Sequence, residues 1–130
     1  MNALEQVRPA MFGLVINIGA PWSWAFELSD DQGPLNVTGW SWQLALEMTL
    51  LDGSRAVWVL TTTPGTRGQI VVTQNAQATT VVASVPRTQT ALLAPFTGAR
   101  FQLDVTPLGG QEERWVQGPL EALEGLVLDA

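Results

Sequence analysis

The chain has no cysteine, no histidine and no tyrosine among its 130 residues, and all six of its basic residues are arginine. Without cysteine there is no disulfide framework, no thiolate metal site and no thiol nucleophile. Without histidine the usual general base and the commonest metal ligand are both missing. Serine–histidine hydrolysis and the ordinary forms of zinc chemistry are set aside with it. Without lysine there is no phosphate loop of the Gly-x-x-x-x-Gly-Lys kind, and the glycines at Gly65, Gly68, Gly109 and Gly110 read as turn residues. Carboxylates remain as reactive groups, so the first expectation is a protein that is not an enzyme and holds no cofactor and no metal.

Charge is also scarce. Charged residues make up 14% of the chain, against roughly 25% in ordinary soluble domains. The net charge is −6, and Arg8, Arg55, Arg67, Arg87, Arg100 and Arg114 are scattered along the sequence. No basic patch forms, which argues against a nucleic-acid partner. The apolar runs are far shorter than a membrane span. The first twenty residues lack a basic start and a small-residue cleavage site, so the expectation is a chain made in a cytoplasm, with no membrane partner.

What the sequence does have is tryptophan and alternation. Four of six tryptophans lie between Pro21 and Trp42, as two Trp-x-Trp pairs. In the first pair's segment, Trp22, Trp24, Phe26 and Leu28 share one parity, opposite Ser23, Ala25 and Glu27. In the second, Trp40, Trp42, Leu44, Leu46, Met48 and Leu50 oppose Ser41, Gln43, Ala45, Glu47 and Thr49. Period two marks a half-buried strand, and it outweighs the helix-forming residues in the second segment. The intervening "DDQGPLNVTG" is a turn on composition, and the two strands are expected to form an antiparallel hairpin with their indoles in the core. Asp52-Gly53 centres another hairpin turn.

Further strands are expected in "RAVWVLTTT", "QIVVTQ", "TTVVASV", "ARFQLDVTPL" and "RWVQGPLEAL", with a single short helix near "PRTQTALLAPF". About eight or nine short strands at this spacing fit an all-β sandwich or barrel of one domain. Residues 1–10 read as a flexible or docking arm and 11–130 as the domain. The last residues, "EGLVLDA", extend a strand or fray.

The order of elements from Ile18 to Trp42, "WSWAFEL" then "SDDQGPLNVTGWSWQLALE", resembles a module of tailed-phage proteins, as does the hairpin "FQLDVTPLGGQEERWVQGPLEAL". The module is the immunoglobulin-like N-terminal domain of baseplate upper proteins, and small phage tail proteins of the same build share it. The resemblance covers roughly Val15 to Leu123. It implies an immunoglobulin-like antiparallel β-sandwich and a structural role in a virion: tail, baseplate or fibre attachment. The implied partners are other virion proteins and further copies of the chain. The baseplate proteins continue into a helical extension and further domains, whereas this chain stops at Ala130, so a stand-alone subunit is expected. A carbohydrate-binding module for host attachment and a capsid decoration protein are the alternatives.

The candidate contact residues are Val57, Trp58, Val59 and Trp115. The strand around Trp58 is apolar on both faces, as deep burial or a subunit contact requires. The threonine-rich segments "TTT" and "ATTVVAS" are expected as exposed edges able to add to a neighbour's sheet. Asp30-Asp31 and Asp52 read as solvated turn residues in preference to a calcium or acid–base site. The resemblance implies a protein made in bacteria, in which the Asn36-Val37-Thr38 sequon would carry no weight.

Overall fold

The computed structural model describes residues 10, 11 and 13–124. Among them the chain forms ten strands and one short helix: β1 (Ala10–Met11), β2 (Leu14–Ile18), β3 (Trp22–Asp30), β4 (Gly33–Pro34), β5 (Ser41–Thr49), β6 (Arg55–Thr61), β7 (Gln69–Gln74), β8 (Thr79–Val85), α1 (Arg87–Thr90), β9 (Phe96–Thr106) and β10 (Glu113–Glu124). The fold is all-β, in two sheets. The larger runs β1-β10-β9-β5-β6, with β2 also on β10, and the smaller runs β4-β3-β8-β7. Of the arm expected at residues 1–10, only Ala10 is described, paired with Val116. Beyond Glu124 the expected tail lies outside the described residues.

Alternation places the strands' apolar faces together. Trp42, Leu44, Leu46 and Met48 of β5, Phe101, Leu103 and Val105 of β9, and Val81, Ala83 and Val85 of β8 belong to one buried cluster. The sheets meet within it: the rings of Trp24 on β3 and Phe101 on β9 lie 5.9 Å apart, edge to face. An indole of this kind buries roughly 200 Å², which makes it a large share of a small core.

The expected hairpin between the two Trp-x-Trp strands does not form. β3 pairs with β4 and β8, while β5 pairs with β6 and β9, so the two pairs of indoles lie in opposite sheets. The physical cause is in the connection. The chain reverses tightly, with Asp30 opposite Gly33, but the returning strand ends at Pro34. Leu35 and Val37 are then drawn into the core and carry the chain across to the other sheet. Buried Thr79 fixes the crossing by donating its hydroxyl to the Leu35 carbonyl at 2.6 Å, and the Gln74 side-chain carbonyl accepts from the Val37 amide at 2.8 Å.

A second correction concerns the threonine-rich edges. β8, "TTVVASV", is central in its sheet, flanked by β3 and β7. Thr80 and Ser84 share its outer row with Val82, while Thr79 is buried, and none of them stands on a free edge.

The strand at the other side of the larger sheet is interrupted. β1 and β2 both pair parallel with β10, at Val116–Gln117 and again from Leu120 to Glu124. Pro119 falls in the gap, where its lack of an amide hydrogen leaves the ladder without a donor. Two irregularities in the β9–β10 pairing, at Arg114/Val116 and at Leu120/Ala122, add bends. Gly98 sits beside the second with φ +76°, a conformation that suits glycine at a bulge. The larger sheet is curled.

Candidate functional site

The curl gives the larger sheet a hollow on its outer face. A cavity of about 820 Å³ lies there, floored by Ala45, Gly98 and Gly118 and edged by Val57, Arg100 and Arg114. The floor is low because these positions carry little or no side chain. The walls carry paired charge: Arg100 Nε lies 3.3 Å from Glu47 Oε1, and Arg114 Nε lies 3.0 Å from Asp104 Oδ1. The first pair is exposed. The second joins directly opposed residues of β9 and β10, and its acid is buried. Gln102 donates to the other oxygen of Asp104 at 3.1 Å, so both carboxylate oxygens are held.

Arg114 lines this hollow, and Asp104 lines a smaller one of about 290 Å³ together with Trp40, Gln43 and Glu112. The ion pair therefore stands between the two. Trp40 and Trp42 are stacked with ring centres 6.1 Å apart, and Trp115 meets both edge-on, at 5.9 and 5.7 Å.

The four candidate contact residues separate. Val57 and Val59 point outward and are 60% and 47% exposed. Trp58 points inward and is 2% exposed, with the Arg67 guanidinium 4.4 Å from its ring centre. Its ring belongs to the core and offers no exposed side-chain surface, which corrects its place among the candidates. The reason is the strand's own period: Trp58 shares the buried face with Leu60. Trp115 is half-buried against Trp40 and Trp42 and donates its indole N–H to Glu113 at 3.2 Å. It occupies the irregularity between Arg114 and Val116, which turns its ring out of simple alternation.

Sequence reasoning missed the hollow and both ion pairs. Alternation does assign Arg100, Gln102 and Asp104 to one face; the partners Glu47 and Arg114 come from other strands, and only the register supplies them. Of the acidic turn residues, Asp30 accepts from the Gln32 amide at 2.8 Å. Asp52 accepts from the Ser54 hydroxyl and amide at 2.6 and 2.8 Å, and these two bonds hold its carboxyl below the ordinary value of 3.8. Among the described residues no three acidic side chains gather as a metal site would require.

The outer face thus combines amides, mutually satisfied ions and exposed valines. Such a set makes contacts by hydrogen bonding and apolar packing. No family model matches the chain, and no curated protein is similar to it in sequence.

Proposed function

We propose that the chain is a structural subunit that acts by protein–protein assembly, as a component of a tailed-phage virion, and that its two sheets form an immunoglobulin-like sandwich. The phage part of this reading rests on the resemblance of the Trp-x-Trp segment and the C-terminal hairpin. The assembly part rests on one structural observation: Val57 and Val59 are exposed on an outermost strand that borders the hollow. Adjacent exposed aliphatic side chains on a sheet edge are what a subunit contact uses and what a solitary domain avoids. The small charged fraction of the chain supports the same reading.

Light scattering of the purified chain across a range of concentrations tests it. A defined multimer is expected. A monomer throughout would favour the second reading, a glycan-binding module, for which half-buried Trp40 beside Asp104, Gln43 and Glu112 is the specific support. Quenching or a blue shift of tryptophan emission on adding oligosaccharides would then mark that reading.

A further inference from the structure

We propose that β6 pairs antiparallel with β6 of a second copy, about a two-fold axis at Trp58, joining two larger sheets edge to edge. This rests on the assembly reading and adds the partner, the strand and the register.

The four outermost strands are not equivalent. β4 is two residues long and ends in Pro34. The β1/β2 side is broken opposite Pro119, with Gly13 in the break and its Cβ position 3.5 Å from the proline ring. β7 is held only at its last residue, Gln74, by Asn36, Val37 and Thr38, but its outer row of Gln69, Val71 and Thr73 offers a single valine. Short length, proline and covering segments are the devices that keep sheet edges from pairing with other chains. β6 has none of them. All seven of its residues keep an unbroken register with β5. It contains no proline or glycine, and Arg55 at its start is its only charge.

Its central Val-Trp-Val also reads the same in reverse. In Arg-Ala-Val-Trp-Val-Leu-Thr, an axis at Trp58 sets Val57 against Val59 of the second copy, and Ala56 against Leu60. An isologous contact needs this self-complementarity, because each residue meets its counterpart's partner twice. On the outer face the row Arg55, Val57, Val59, Thr61 meets the same row reversed. Two valine–valine pairs form at the centre, and each arginine faces a threonine, never the other arginine. Like charges directly opposed would oppose pairing, and this register avoids them. A second copy is thus favoured over an unrelated strand by the side chains already present.

The absence of cysteine makes the test clean. Val57→Cys and Val59→Cys chains are prepared singly, mixed, and oxidised under mild conditions. Directly opposed residues bring their Cα atoms to about 4.5–5.5 Å, inside the reach of a disulfide, whereas diagonal neighbours at about 7–8 Å lie beyond it. The expected result is a covalent dimer in the mixture and none from either chain alone. A dimer formed equally well by one chain alone would mean a different register and would overturn the proposal. A multimer by light scattering with no cross-link in any sample would also overturn it, while leaving the assembly reading in place. A monomer by light scattering, with no cross-link, would remove both. Both positions are exposed, and unchanged tryptophan emission confirms that each variant is folded.

Discussion

Asp104 and Arg114 face one another across β9 and β10, with Nε of the arginine 3.0 Å from Oδ1 of a buried aspartate. The pair is asymmetric, because the arginine side chain keeps 44% of its exposure. Removing the arginine therefore leaves a buried carboxylate with only Gln102 as a partner. Arg114→Leu is expected to lower stability by about 2 kcal/mol, less than a fully buried pair would lose, because water reaches one side. Asp104→Asn, which keeps an acceptor and removes the charge, is expected to cost less. Urea denaturation of the two variants checks the order.

Gly68 is the most constrained glycine of the fold. Its φ is +147°, and a Cβ there would lie 2.0 Å from the Ser84 carbonyl oxygen of β8. That atom is backbone in a central strand and cannot swing aside. Gly68→Ala is expected to destabilise the chain by about 3 kcal/mol or more. Gly53→Ala, where φ is +85° but nothing crowds the site, is expected to cost about 1 kcal/mol. Thermal denaturation of the two variants separates crowding from dihedral strain.

Asp52 links the turn between β5 and β6 to pH. The Ser54 hydroxyl bond is the main cause of its lowered pKa, followed by the Ser54 amide. A carboxyl with a folded pKa below its unfolded value gives its stabilisation in full above the unfolded value. That contribution is lost as pH falls through the folded one. Ser54→Ala is expected to raise the Asp52 pKa towards the ordinary value and to flatten the acid limb of stability below about pH 4. An NMR titration of the side-chain carboxyl reads the shift directly.

The proposed register makes Thr61 a charge-sensitive position, since it faces Arg55 of the second copy. Thr61→Arg is expected to weaken dimerisation at least about tenfold at low ionic strength, with partial recovery as salt screens the repulsion. Thr61→Glu is expected to strengthen it several-fold. Sedimentation equilibrium at two salt concentrations gives both dissociation constants.

Much of the local structure was readable from period and turn chemistry. Trp22 to Leu28 and Trp42 to Met48 alternate as the burial does. The Asp52-Gly53 turn and the short helix before Pro95 also stand where expected. Strand partners were not readable, because period two records which face is buried and not which sheet a strand joins. The Trp-x-Trp strands parted for this reason, and β8 moved from edge to centre. Trp115 and Pro119 illustrate the other limit. A bulge and a gap in a ladder depend on the register of the neighbouring strand, which no single segment carries. The two-faced apolar character of β6 was legible in its sequence, with Val57 and Val59 on the exposed face. The same character concealed that Trp58 belongs to the inner face.

The most direct measurement is the solution mass of the native chain beside Val59→Asp in the same light-scattering series. The substitution puts a carboxylate against valine in the proposed contact, while within the chain the residue opposite is the uncharged Ala45. The account predicts a multimer of the 14.0 kDa chain for the native protein and a folded monomer for the variant. A native mass of 14.0 kDa at every concentration, or an identical multimer from Val59→Asp, would contradict it.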